Sequence, residues 1–182
     1  LNDYIRNPSK WWKIEENMKK LDVAEGNFKV WWALTVQIYN MVQLPEIMMW
    51  KIKQNFQRIN KAVIDKPVIS PHPLHNPKFL NIKMFPKESK EWITEHFRNW
   101  KIQAEEEIPK IDNMSEEDKE TNLKWFCNIL GHYEKYMWAE DYSEYLEKFW
   151  YYNNTLDESR KESLEDVCPR TWKLLHGDKY SN

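Results

Sequence analysis

The feature that most constrains the fold is the run Val30-Trp31-Trp32-Ala33-Leu34-Thr35-Val36-Gln37-Ile38-Tyr39-Asn40, whose two faces differ. At strand periodicity Val30, Trp32, Leu34, Val36 and Ile38 share one side, and Trp31, Ala33, Thr35, Gln37 and Tyr39 the other. The first side is apolar throughout and needs a helix layer against it. The second carries a hydroxyl and an amide among aromatics, a pattern expected of a strand buried on both sides in a parallel sheet or barrel whose inner wall meets a ligand.

The flanking sequence alternates helix and strand signals. Asn7-Pro8-Ser9 precedes a predicted helix over 10–21 with a stripe of Trp11, Ile14, Met18 and Leu21. Pro45 and Glu46 open a second helix striped by Leu44, Met48, Ile52, Phe56 and Ile59. Asp65-Lys66-Pro67 leads into a predicted short strand, Val68-Ile69-Ser70, which ends in the rigid loop Pro71-His72-Pro73-Leu74-His75-Asn76-Pro77. Leu80-Asn81-Ile82-Lys83-Met84 alternates and predicts a third strand. From Pro86 a long helix runs to about Ala104, striped by Ser89, Ile93, His96, Phe97 and Trp100.

After Glu105-Glu106-Glu107 and Pro109 the strand signals stop. Ser115 and Asp118 form a capping-box-like start for a helix carrying Leu123, Phe126, Cys127, Leu130 and Met137. Asp141 restarts the helix with Tyr142, Leu146, Phe149 and Trp150 inward; Ser163 and Asp166 cap a last turn before Pro169, and Gly177 ends it. Strands joined by helices predict right-handed crossovers and a parallel sheet, with further strands expected on the N-terminal side. The expected fold class is α/β: the C-terminal portion of a partial (β/α)6 TIM-like barrel over 1–108, followed by a helical extension over 109–182.

Composition narrows the function. A net charge of −2 with 31% charged residues describes an ordinary polar surface and favours neither nucleic acid nor an anionic membrane as partner. Cys127 and Cys168 are the only cysteines. Two thiols cannot supply an all-cysteine cluster, and they fit a reduced, cytoplasmic setting, with one disulfide left open. Eleven tryptophans against three glycines are unusual, and most of those indoles are expected to be core or half-buried groups.

Three stretches carry a likeness: Asp3-Tyr4-Ile5-Arg6-Asn7-Pro8-Ser9-Lys10-Trp11, the helix through Ile14-Glu15-Glu16-Asn17, and Leu34-Thr35-Val36-Gln37-Ile38-Tyr39-Asn40. In that order they resemble the middle of radical SAM enzymes, closest to twitch domain-containing radical SAM proteins of phage and marine genomes. Asn76-Pro77-Lys78-Phe79-Leu80-Asn81-Ile82 with Pro86-Lys87-Glu88 and Lys90, and Leu156-Asp157-Glu158-Ser159-Arg160 with Asp166 and Pro169, resemble later family segments. The family's C-x-x-x-C-x-x-C loop has no counterpart here. The resemblance therefore implies that Leu1 follows the fourth barrel strand and that the cluster-binding half lies upstream, as the partner of this chain. It implies SAM and a [4Fe–4S] cluster in the parent protein, none held by cysteines of this chain, radical chemistry on an unidentified substrate, and no activity of the 182 residues alone.

On that reading Thr35 and Gln37 line the lumen, with Asn40 at the strand end. Arg6 stands near the mouth, where its guanidinium suits a carboxylate such as the methionine moiety of SAM. Ser70 and His72 alternate with Ile69 and Pro71, so that one reaches the lumen. His72-x-x-His75 is a weak metal-pair signal, lacking a third ligand. The competing reading is a complete, helical, tryptophan-rich protein-interaction module without catalysis. A hydrolase-like α/β domain is a third option, with no nucleophile motif to support it. A low strand content separates the module from the enzyme fragment.

Overall fold

The computed structural model describes residues 1–61 and 69–176. The keystone run does form a strand, but a short one: β1 is Ala33–Val36. It stops because Asn40 bends the chain back, its Oδ1 accepting from the Gln37 N–H at 2.8 Å and its Nδ2 donating to the Thr35 carbonyl at 2.9 Å. β2, Ser70–Pro73, pairs with it in parallel, Ala33 opposite Ser70 and Val36 opposite Pro73. Upstream the pairing continues as a single parallel bridge between Val30 and Ile59.

Helices make up most of the remainder. α1 (Asn2–Ile5) and α2 (Trp11–Val23) precede β1. α3 (Leu44–Gln54) is the crossover toward β2, with a proline in its first turn. α4 (Lys87–Glu107), α5 (Glu116–Trp138), α6 (Leu146–Arg160), α7 (Leu164–Val167) and α8 (Pro169–His176) follow. Both predicted serine caps form: Ser115 Oγ accepts from the Asp118 N–H, and Ser163 Oγ from the Asp166 N–H.

The α/β partial barrel expected from the sequence is corrected by this architecture. Among the described residues the sheet has two strands, and the chain is mostly helical. The predicted third strand is the clearest departure. Leu80–Met84 lies within two 3-10 turns, Lys78–Leu80 and Ile82–Met84, and all five of its residues are buried. Its alternation reflected no open face: Asn81 is enclosed by bonds from its Nδ2 to Leu74 O and Tyr136 Oη, and Lys83 by Glu140. The second strand is displaced as well, starting at Ser70 and running through the prolines expected to form a loop. Asp65, Lys66, Pro67, Val68 and Gly177 lie outside the described residues.

Nor is β1 buried on both sides. Val36 and Ile38 are fully buried and Trp32 and Leu34 half-buried against the helices, but Ala33 is exposed and Trp31 is 52% exposed. Among the described residues the helices pack mainly on one face of the pair. The main core joins Val36, Met48, Phe97, Phe126, Phe149 and Leu174, drawing on residues from both sides of position 108. A smaller cluster of Met18, Phe56 and Ile59 seats the rings of Trp32 and Trp50. Eight of the eleven tryptophans are half-buried, while Trp12, Trp31 and Trp138 are exposed.

Candidate functional site

Partners in a parallel register project to the same face of a sheet. The pairing of Ala33 with Ser70 and Thr35 with His72 therefore gathers Thr35, Ser70 and His72, three of the six sequence-predicted residues, on the face opposite the main helix packing. His72 is exposed, and Thr35 and Ser70 are half-buried. The Ser70 hydroxyl is held at 3.1 Å by Asn60 Nδ2, while Asn60 Oδ1 accepts from the Trp32 N–H. Gln37 lies half-buried just beyond β1.

Asn40 and Arg6 do not join this face. Asn40 is buried, with both its amide atoms spent on the turn after β1. Arg6 is exposed at the end of α1 and makes no ion pair among the described residues.

The two edges of the strand pair differ chemically. The Ser70 N–H donates to Trp32 O and the Leu74 N–H to Val36 O, so residues 32, 34 and 36 turn their backbone groups toward β2, leaving 33 and 35 facing outward. On β2 the outward-facing residues are Pro71 and Pro73, which have no N–H to offer. Proline thus closes one edge against strand addition, and β1 presents its Ala33 and Thr35 N–H groups on the other.

At the carboxyl end of the pair, where ligands of parallel sheets bind, a polar cluster comes together that the sequence reading missed. Tyr136 of α5 sets its hydroxyl 3.1 Å from His75 Nδ1 and accepts from Asn81 Nδ2 at 2.9 Å. Lys83, 7% exposed, has its ammonium 4.5 Å from the Tyr136 ring centre and 2.5 Å from Glu140 Oε1; Tyr142 donates to Glu140 Oε2. The bond to Glu140 raises the Lys83 pKa, and Lys83 in turn lowers that of Glu140. Lys78 stands 4.6 Å over the Tyr142 ring, and of the Lys83–Glu140 pair only the lysine is buried, Glu140 being exposed. The signal for this cluster was the lysine between the apolar Ile82 and Met84, which strand periodicity disguised as a solvent position.

No protein-family model, curated protein or solved structure matches this chain.

The donor set does not fit an iron–sulfur cluster. Cys127 is half-buried on α5, and Cys168 is buried with its thiol beside Thr171 Oγ1 and Gln43 Nε2. Both are free thiols, so the disulfide left open by the sequence is not formed. Among the described residues no group of three or more His, Cys, Asp or Glu could hold a metal, and the pair His72 and His75 gains no third ligand. No helix among them is long and apolar enough to cross a membrane.

Proposed function

We propose that this chain is the substrate-side wall of a radical SAM enzyme, completed along the outer edge of β1 by a strand of the part that binds the cluster. The observation that carries the reading is the asymmetry of the parallel pair among the described residues: one face packed on helices, the other bearing the half-buried Thr35 and Ser70 and the exposed His72, one edge closed by proline and the other presenting the Ala33 and Thr35 N–H groups. A two-stranded sheet is marginal by itself, and a parallel one is ordinarily covered on both faces. The resemblance of residues 3–17 and 34–40 to the middle of radical SAM enzymes supplies the identity of the missing part. SAM and its [4Fe–4S] cluster would be held there, since this chain offers no cysteine set for the cluster. The His75, Tyr136, Lys83 and Glu140 cluster faces the carboxyl end of the pair, where substrate contacts belong.

A second reading, a helical protein-interaction module, is favoured by the low strand content that separates the two readings, two strands of four residues each among the described residues, and by the exposure of Trp12 and Trp31. The coding DNA upstream of Leu1 separates the two. A continuous frame containing C-x-x-x-C-x-x-C supports the radical SAM wall, and a start codon immediately before Leu1 overturns it.

A further inference from the structure

The start of α4 and the end of α5 meet at one corner of the molecule and enclose a cavity of about 280 Å³, lined by Lys87, Lys90, Trp138, Glu140 and Asp141. Lys90 is 3% exposed and forms its floor, while the other four are exposed and form its rim. Small-molecule pockets begin at about 300 Å³, so this one suits a ligand of single-ring size. Trp138 is 43% exposed, yet its indole is pinned, Nε1 donating to Thr94 Oγ1 of α4 at 3.1 Å. A ring tethered at its polar end offers a rigid apolar surface that loses little freedom when something rests on it.

Charge decides what that ligand can be. Each charged group of the lining already faces an opposite one: Lys87 Nζ lies 3.9 Å from Glu91 Oε1, Lys90 Nζ 3.9 Å from Asp141 Oδ1, and Glu140 Oε1 2.5 Å from Lys83 Nζ. An ionic ligand would give up its hydration here without gaining a counter-charge. Hydrogen-bonding capacity, by contrast, is left over. The Lys90 ammonium has three donors and spends one on Glu140 O at 3.2 Å, Asp141 standing beyond hydrogen-bond distance. A carboxylate offers about four acceptor positions. Glu140 uses one at each oxygen, for Lys83 and Tyr142, and among the described residues Asp141 accepts hydrogen bonds from Ser143 alone.

We propose that this cavity is a binding subsite for a neutral pyranose sugar, stacked by its C–H face on Trp138 and bonded through its hydroxyls to Lys90, Glu140 and Asp141. A pyranose is uncharged, apolar across the ring face and polar around the rim, which matches a lining with paired charges, one flat indole and spare donors and acceptors. Its slightly positive C–H bonds meet the negative face of the indole. Each hydroxyl both donates and accepts, so one ring satisfies the lysine and the carboxylates together. Lys90 Nζ stands 5.8 Å from the indole centre, within reach of a sugar resting on that ring. The subsite goes beyond the radical SAM reading and does not rest on it, because all five lining residues belong to this chain.

The test is to titrate the whole 15N-labelled chain with glucose, galactose, mannose and N-acetylglucosamine in turn, following the indole N–H signals. The expected result is that at least one sugar shifts the Trp138 signal to saturation, leaves the remaining indoles in place, and binds equally well at low and high salt. Trp138→Ala abolishes binding, read by saturation transfer to the sugar, and Asp141→Ala weakens it by about tenfold. Both side chains are exposed, so both variants keep the core. No saturable shift at Trp138 with any of the four sugars, full binding retained by Trp138→Ala, or a shift caused by adenosine or inorganic phosphate instead of a sugar overturns the proposal.

Discussion

The Tyr4 hydroxyl donates to Asp157 Oδ1 at 2.7 Å, tying the first helix of the chain to α6 across 153 residues. Asp157 is the hub of that junction: its Oδ2 accepts from Asn153 Nδ2 and from the Leu164 N–H, each at 3.0 Å. The Tyr39 hydroxyl, just beyond β1, reaches Asn153 Oδ1 at 3.0 Å, and Arg160 donates to Tyr4 O. Burial and Asp157 together push the Tyr4 phenol well above its ordinary range, so it serves as a donor at any physiological pH.

Tyr4→Phe therefore removes a hydrogen bond to a charged acceptor without creating a cavity. A loss of about 1.5–3 kcal/mol is expected, read as a lower midpoint in urea. Asp157→Asn lowers it too, because the tyrosine loses its anionic acceptor. A midpoint unchanged in both variants would mean that α1 is not docked on α6.

Lys51, buried on α3, gives a pH dependence of definite sign. Its folded-state pKa lies below its unfolded one, so the unfolded chain binds the additional proton between about 8 and 10.5. Stability contributed by this residue rises with pH across that window, and the cost of burying the charge is fully present below it. Lys51→Met is expected to stabilise the chain at pH 7 by up to about 3 kcal/mol, with the gain shrinking toward pH 10. Urea titrations of both proteins at several pH values check it.

The Lys83 and Glu140 pair has the opposite sense. Glu140 is held below the usual carboxylate range by Lys83, so its contribution is present above that range and lost as pH falls through the lowered value. Glu140→Gln leaves the Lys83 ammonium buried against Tyr136 with its carboxylate gone, and a lower melting temperature at pH 7 is expected. The difference from the parent protein should narrow in strong acid. An equal difference at pH 7 and pH 3 would contradict the pairing.

The face bearing His72 is open to a direct probe. His72 is exposed opposite Thr35, and so should be modified readily by diethyl pyrocarbonate in the isolated chain. His96 should react slowly, because it is half-buried, stacked on Trp92 with ring centres 4.8 Å apart, and bonded to Val42 O. Comparable rates at the two histidines would place a cover over the sheet.

Local signals were legible where a residue acts on its own neighbours. Ser115 and Ser163 announce their helices because a cap is a contact within four residues, and Leu44, Met48 and Ile52 are buried because helical periodicity reports burial directly, whereas the predicted stripe overran the helix: α3 ends at Gln54, and Phe56 and Ile59 are buried beyond it in the smaller cluster. Strand alternation put Thr35 on one side of β1, but it is the register, Ala33 opposite Ser70 and Thr35 opposite His72, that brings both Ser70 and His72 to that face, where one of the two was expected. What was not legible is pairing. A strand exists only where a neighbour supplies its hydrogen bonds, and nothing within Leu80–Met84 tells whether Lys83 meets water or the Glu140 carboxylate, 57 residues away. The turn at Asn40 likewise depends on where an amide side chain folds back, which hydrophobic pattern does not encode.

The measurement that bears most directly on the radical SAM wall is amide hydrogen exchange at Ala33 and Thr35. In this chain alone both N–H groups face outward from β1, away from β2, and should exchange far faster than the paired Leu34 and Val36 amides. When the chain is joined to the cluster-binding part, the account predicts that Ala33 and Thr35 become protected to the level of Leu34 and Val36. Protection already complete in the isolated chain, or none gained in the joined one, would contradict the claim that the outer edge of β1 receives another strand.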